Sequence, residues 1–469
     1  MNAFRISQLL LALSCLLSVV SCETTTLVDT WTPEGGEPDA PASYRRSSAA
    51  AGAKIDHGTW WKAFRDPVLD DLVGRVEKNN PEARAAFARV EQANATMGVT
   101  SSQRFPSVTG EGLAAQQQDS LNSLLFPIDE FRYDRYRVAV NASWEVDLWG
   151  KLKAAYRRDQ FTAESAQADY EAALLSLQTA AARQYLALRF VEQEAAILAD
   201  ALKNREEQVR LQSSLAKRGA GTDADVARAR TELESTRAEA LGLERIAGKL
   251  EHAVAILAGE APSALKPGRG PSVRLPSVPA SLPSELLARR PDLRSADAKL
   301  RAAAQQVGVR KADFLPSVRL TGAAGLASLD TDDLFTSQNS FLYNLGPQID
   351  IPIYRAGLRG SAVGKAKAAW REAVETYRAV FLRAIGEVEN SLLDLDVLDR
   401  QIAAQHAAVT AAEETVATSQ KQFDRGFASF FEVVDAQREF LRARRIENAL
   451  KGERAAATVQ LIQALGGKW

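Results

Sequence analysis

The side chains that most often carry nucleophilic, redox or metal chemistry are scarce in this sequence and poorly spaced for it. Both cysteines, Cys15 and Cys22, fall near the N-terminus, and the three histidines, His57, His252 and His406, are scattered. No histidine has a partner at metal-ligand spacing, and the body of the chain has no cysteine to build a disulfide framework or a thiolate site. Catalysis by Cys, His or zinc is close to excluded. No catalytic residue and no metal site is expected, and the chain reads as something other than an enzyme.

Cys22 is the exception. Arg5 precedes an apolar run, Ile6 to Val20, that is too short and too early for a spanning helix and suits an export signal. The run ends in Val19-Val20-Ser21-Cys22, which resembles a bacterial lipobox. That resemblance implies a lipoprotein signal peptide over 1–21, cleavage before Cys22 and acylation there, so the only attached group expected is a covalent lipid. Several acyl chains together anchor durably, at about 0.8 kcal/mol per buried CH₂. The rival acceptor Cys15 would leave an apolar region of only about seven residues. Glu23 favours onward sorting to an outer membrane. Residues 22–58, rich in Pro, Gly, Ala, Ser and Thr, read as a tether.

Composition narrows the class. Lys+Arg 58 against Asp+Glu 59 leaves a net charge of -1 over 469 residues, so no basic field marks a nucleic-acid binder. Mean hydropathy is -0.20 and no second long apolar run follows the signal, which excludes a polytopic helical membrane protein. The body is instead a tandem repeat. Asn80-Pro81 matches Arg290-Pro291 and Phe105-Pro106-Ser107-Val108 matches Leu315-Pro316-Ser317-Val318, both at an offset of 210. Farther on the offset becomes 207, with Tyr170 matching Tyr377, Arg218-Gly219 matching Arg425-Gly426 and Asp225-Val226 matching Glu432-Val433. One loop-length difference explains the drift. The spacing predicts repeats over 59–260 and 284–469, joined by a proline-rich linker over 261–283.

Each half pairs strands with very long helices. From Tyr136 to Leu148, Tyr136, Val138, Val140, Ala142, Trp144, Val146 and Leu148 share one face, against Arg137, Asn141, Ser143, Glu145 and Asp147. Phe341 to Ile353 alternates likewise, and weaker strands follow each Pro-Ser-Val, near 107–115 and 317–326. Four strands of about ten residues with this dyad pattern suit a transmembrane barrel, although a soluble sheet with one wet face has the same periodicity. Four strands cannot close a barrel, since the smallest have about eight. Three copies would supply twelve. Beyond Gly150 no proline occurs until Pro262, and heptad-like runs such as Leu174, Leu177, Ala181, Leu188 and Phe381, Ala384, Val388, Leu395 predict coiled-coil packing. A helix from Gly150 to Leu215 would be on the order of 100 Å long.

With the lipobox, the Trp60-Trp61 and Pro67 entry segment, helices opening at Pro81 and Pro291, the two Pro-Ser-Val strand starts, Trp144-Glu145-Val146-Asp147-Leu148-Trp149-Gly150 and the paired Arg-Gly turns, the sequence resembles the TolC-type outer-membrane efflux factors, in their lipoprotein (OprM- or NodT-like) branch. The resemblance implies an α+β homotrimer: a transmembrane β-barrel, four strands per chain, continuing into a long α-helical coiled-coil tunnel through the periplasm. It implies an outer-membrane, lipid-anchored exit duct that passively conducts small molecules such as drugs, docked to a periplasmic adaptor (membrane fusion protein) and an inner-membrane pump of the resistance-nodulation-division type. Arg218, Gly219, Arg425 and Gly426 become the adaptor-contacting tips, and Asp435 with Glu432 become acidic residues at the periplasmic gate. Local chemistry offers plainer roles: glycine C-caps at the tips, and a capping box, Ser429-Phe430-Phe431-Glu432, for Glu432. Phe427, Phe430 and Phe431 either close the tip or seat one hairpin on its neighbour. Where some family members have an arginine that locks the gate, this chain has Ala428. Two other readings are a periplasmic adaptor-type coiled-coil lipoprotein and the exit duct of a type I protein-secretion system.

Overall fold

The structure is a computed structural model and describes residues 59–118, 132–264, 268, 270, 273–276, 278, 289–336 and 338–467. Cys22, the signal peptide and the tether lie outside the described residues, as does much of the linker. The elements in chain order are α1 (Pro67–Asn79), α2 (Pro81–Ser102), β1 (Ser107–Gln118), β2 (Arg132–Val146), α3 (Lys151–Lys217), α4 (Asp223–Leu257), α5 (Pro291–Ala312), β3 (Ser317–Ser328), β4 (Phe341–Asp350), α6 (Leu358–Asp424) and α7 (Phe430–Ala464).

Four pairs of elements match in length across the two halves. α2 and α5 have 22 residues each, β1 and β3 have 12, α3 and α6 have 67, and α4 and α7 have 35. α2 and β1 lie 210 positions before α5 and β3, whereas α3 and α4 lie 207 before α6 and α7. The net three-residue difference therefore falls between the end of β1 and the start of α3 in one half, and between the end of β3 and the start of α6 in the other. Left-handed glycines punctuate both halves at the same offset: Gly150 and Gly357, Gly219 and Gly426, Gly259 and Gly466, all with φ between 72 and 80°. L side chains rarely adopt that conformation, so glycine sets where each helix starts or stops.

The chain divides into two compact units. One holds the strands, with 90–166 and 296–377, and its sheet runs β1-β2-β3-β4, every neighbour antiparallel. The register pairs Val140 with Gly110 and Ala324, and Ala324 with Tyr343. Paired residues share a face, so one face carries Val108, Val138, Val140, Trp144, Leu320, Leu326, Phe341, Tyr343, Leu345 and Ile349. The other carries Thr109, Glu111, Arg137, Asn141, Glu145, Arg319, Thr321, Asn344 and Gln348. The alternation read from the β2 and β4 segments thus extends coherently across all four strands.

Two strand ends fall short of the sequence expectation, each for a local reason. β2 stops at Val146 because the Asp147 carboxylate turns to accept the Leu152 and Lys153 amides at 3.1 and 2.8 Å, starting α3. β4 stops at Asp350, two residues before Pro352, which has no N–H to donate to a ladder.

The second unit holds α1, most of α3 and α6, and all of α4 and α7. Its fully buried side chains include Trp60, Leu69, Val73, Tyr185, Leu198, Phe381 and Ile462. Ala181, Ala384, Ala455 and Val388 are also completely covered, as the heptad pattern requires of a close-packed helical core. Among the described residues, no helix is long and apolar enough to cross a membrane, which says nothing of a barrel.

Candidate functional site

A conduit needs a wall that tolerates lipid on one side and water on the other, and ends that are shaped for opening or docking. In the strand unit the apolar face is exposed. Val138 is 45% exposed, Val140 55%, Tyr343 76% and Leu345 74%. Water would make such a patch costly, at about 25 cal/mol per Å² of apolar surface, whereas lipid does not. On the opposite face the charges are matched across strands. Asn141 Nδ2 donates to Glu111 Oε2 at 2.9 Å, Arg137 lies 4.0 Å from Glu111, and Arg319 lies 3.7 Å from Glu145.

The Trp144-to-Gly150 segment is a strand-to-helix joint in which nearly every residue has a task. Trp144 Nε1 donates to the Arg104 carbonyl at 3.0 Å and Trp149 Nε1 to the Pro316 carbonyl at 2.5 Å. Glu145 pairs with Arg319, Asp147 caps α3, and Gly150 supplies the left-handed turn.

The two helix turns are built alike. Gly219 N–H donates to the Ala216 carbonyl and Ala220 N–H to that of Leu215; Gly426 and Phe427 repeat this with Phe423 and Gln422. Each is a Schellman-type stop followed by a fresh N-cap. Thr222 Oγ1 accepts the Asp225 amide at 3.2 Å and restarts α4. Arg218 and Arg425 are both exposed at these turns.

The structure gives Glu432 a local task, since the Ser429 N–H and hydroxyl donate to Glu432 Oε1 at 3.2 and 3.1 Å. Asp435 sits one turn on, exposed and outside the cap, with Arg438 as its electrostatic neighbour. The three tip phenylalanines separate. Phe430 is buried against Phe423, Val209, Ala229 and Val434; Phe427 is 83% exposed; and Phe431 lies under the Arg228 guanidinium, 5.1 Å from its ring centre.

Sequence reading did not find the charged cluster that joins α3, α4 and α7. Arg438 bonds Glu232 Oε1, Arg205 Nη2 lies 3.3 Å from Glu232 Oε2, and Arg445 bonds both Glu194, at 2.9 Å, and Glu239, at 2.5 Å. The hydrogen bond from Arg438, with further attraction from Arg205, outweighs burial and holds the Glu232 carboxyl below the usual carboxylate range. Glu232–Arg438 and Glu239–Arg445 are both 206 residues apart, one short of the repeat period. That near-coincidence was the available signal.

Comparisons with known proteins agree with this geometry. The sequence matches the outer membrane efflux protein family over residues 72–259 and 282–467. It is 32% identical over 437 residues to the pyoverdine export outer membrane protein OpmQ of Pseudomonas aeruginosa, covering 92% of this chain and 91% of that one. It is 27% identical to the probable outer membrane lipoprotein SilC of Salmonella typhimurium, covering 98% of each. The structure superposes on the outer membrane channel CmeC of Campylobacter jejuni with a TM-score of 0.86 at 26% identity, over 94% of each chain. With its twofold repeat, its barrel-type sheet and its long helices, the chain belongs to the outer membrane efflux protein family and is an outer-membrane efflux channel.

Proposed function

We propose that three copies of this chain form a passive exit duct, anchored in the outer membrane and reaching into the periplasm to meet an adaptor and an inner-membrane pump of the resistance-nodulation-division type. The observation that carries the reading is the sheet: one face is apolar and exposed, and β1 and β4 each pair with a strand on one side only among the described residues, leaving two open edges. Open edges in a bilayer leave backbone groups unsatisfied at several kcal/mol each, so other copies must supply the closing strands. Twelve strands from three chains make a barrel of ordinary size.

The repeats occupy 59–260 and 284–469 about the 261–283 linker. Cys22 carries the lipid, a role favoured by its lipobox and by kinship with a probable outer membrane lipoprotein. Arg218, Gly219, Arg425 and Gly426 are the tips that meet the adaptor. Asp435, free of capping duty, is the principal gate residue, and Glu432 serves as both cap and gate. Kinship with a pyoverdine exporter favours a small organic molecule as cargo.

The test is size analysis of the purified protein in detergent together with conductance in planar bilayers. A heat-sensitive trimer that forms pores supports the reading; a monomer that forms none overturns it. Mass spectrometry of the mature N-terminus tests Cys22 separately, and an unmodified cysteine there overturns that assignment.

A further inference from the structure

The junction between the two halves, inside the chain, is a template for a junction that one chain alone leaves unfilled. Inside the chain, β2 of the first half pairs with β3 of the second. Beside that pairing, the opening of α3 lies along the end of α5, with Lys151 2.8 Å from Asp313 and Arg158 Nη1 donating to Gln306 at 2.9 Å. The two hairpins correspond residue for residue. Gly110 pairs with Val140, and their counterparts Leu320 and Pro347, 210 and 207 positions on, pair with each other. Each position at the inner junction therefore has a counterpart at one of the chain's two outer edges.

Those counterparts are bare. Val309 on α5 is 7% exposed, and its counterpart Val99 on α2 is 62% exposed. β3 is mostly half-buried, whereas β1 is exposed along almost its whole length. At the other edge Val146 is half-buried and its counterpart Ile353 is 93% exposed. Lys151 is half-buried likewise, and its counterpart Leu358 is exposed. Equivalent positions differ in cover because the first half covers the second, while nothing among the described residues covers the β1 edge of the first or the β4 edge of the second. The surface already shaped for a β1 edge is a β4 edge of the same sequence.

We propose that β1 and the end of α2 are the docking surface for β4 and the start of α6 of a second copy, in the register that the inner junction dictates. The inference rests on the trimeric reading above and specifies its interface. Within the chain Val138 pairs with Leu326 and Ala142 with Gly322. Their counterparts place Leu345 opposite Gln116 of the next copy and Ile349 opposite Gly112. Paired residues share a face, so the apolar face of one copy continues into that of the next. Ile349 finds room there, since a Cβ on Gly112 would meet nothing within 4 Å. The two junctions differ in chemistry. Counterparts of the ion pairs Glu145–Arg319 and Lys151–Asp313 are Pro352–Thr109 and Leu358–Gln103. Ladder bonds and apolar contact thus join the copies, where ion pairs also join the halves. The like-charged couple in the register, Asp350 opposite Glu111, falls on the polar face, where Arg137 lies 4.0 Å from Glu111.

Electron cryomicroscopy of the wild-type assembly in detergent reads the register without any variant. Ile349 opposite Gly112 of a neighbouring copy is the expected result; another register, or a foreign strand on either edge, overturns the inference. Cysteine crosslinking of the full-length protein asks the same question in membranes. β1 and β4 of one chain stand three strand spacings apart, about 14 Å, too far for a disulfide within the chain. Gln116→Cys with Leu345→Cys, and Gly112→Cys with Ile349→Cys, should each give a covalent trimer on oxidation, and the single variants none. Gln116→Cys with Tyr343→Cys, slipped by two residues, should lose the crosslink, because diagonal neighbours lie about 7–8 Å apart. A slipped pair that crosslinks faster, or an intact oligomer whose in-register pairs stay apart, overturns the register and leaves the trimer standing. A monomeric wild type overturns both.

Discussion

Asn80 and Arg290 occupy equivalent positions 210 residues apart and perform the same task with different chemistry. Asn80 Nδ2 donates to the Leu257 carbonyl at 2.9 Å, and Arg290 Nη1 donates to the Ala464 carbonyl at 2.8 Å. Leu257 and Ala464 are the last residues of α4 and α7, where carbonyls lack helical donors. Each side chain therefore closes the return helix of its own repeat. Gly259 and Gly466 let the backbone come close: a Cβ would lie 2.4 Å from the Asn79 carbonyl oxygen in one half and 2.8 Å from that of Arg289 in the other.

Removing either cap should destabilise the helical unit, and Arg290 more than Asn80. Asn80→Ala loses one bond to Leu257 and the N-cap of α2, at about 1–2 kcal/mol. Arg290→Met also strips the partner of Asp292 and Glu387, paired at 2.7 and 2.8 Å. Its cost should approach about 3 kcal/mol. Urea unfolding followed by tryptophan fluorescence checks the order.

The two faces of β2 should respond oppositely to charge. Val140→Arg places a cation on the apolar face and should cost about 2–4 kcal/mol if that site lies near the bilayer midplane. Asn141→Arg, one residue on, faces Glu111 and should be tolerated. The yield of heat-sensitive oligomer on unheated gels reports both, and equal loss in the two variants would contradict the face assignment.

Glu432 and Asp435 can be separated by substitutions that keep the cap. Glu432→Gln preserves a capping box while removing charge, whereas Glu432→Ala removes both and should cost about 1 kcal/mol. Single-channel recordings should show larger conductance and weaker cation selectivity for Asp435→Ala, with a smaller change for Glu432→Gln. If neither variant alters conductance while the protein remains folded, the constriction lies elsewhere.

The Glu232 cluster should weaken in acid. Its folded pKa is depressed below the ordinary value of 4.5. Its stabilising contribution is therefore complete above the unfolded pKa and is lost as pH falls through the folded one. The stability gap between wild type and Glu232→Gln should be constant near neutrality and shrink below about pH 4.5. A gap that instead grows in acid would refute the linkage.

Gly270 is held against the body of the helical unit and should not accept a side chain. Arg189 Nη2 donates to its carbonyl at 2.8 Å, and a Cβ would fall 2.3 Å from the Tyr185 hydroxyl and 2.5 Å from Asp66 Oδ2. Gly270→Ala should free this part of the linker, and limited proteolysis should cut it faster.

The features legible in the sequence are those set by local periodicity. The alternation of β2 fixed its faces, because a period of two cannot slip without inverting every residue. The repeat offsets located matching helices, and Ser429 with Glu432 announced a cap through a three-residue spacing. The contacts that escaped were long-range and rotational. Asp66, which accepts the Tyr185 hydroxyl at 2.8 Å, is 119 residues from it, and Arg205 meets Glu232 only because α3 and α4 present those faces to each other. Heptads show which stripe of a helix is buried, not which polar residue along it finds a partner.

The equal helix lengths constrain how such a chain can change. A seven-residue insertion in α3 alone adds about 10 Å of helix and would carry the Gly219 turn past its counterpart at Gly426. To stay level, the same insertion would have to appear in α4, α6 and α7 as well. The stretch from the first strand of each hairpin to the long helix faces no such condition, and the two halves differ by three residues there. Length variation among descendants of this gene should accordingly be found in the hairpins one loop at a time, and in the helices only as coordinated sets.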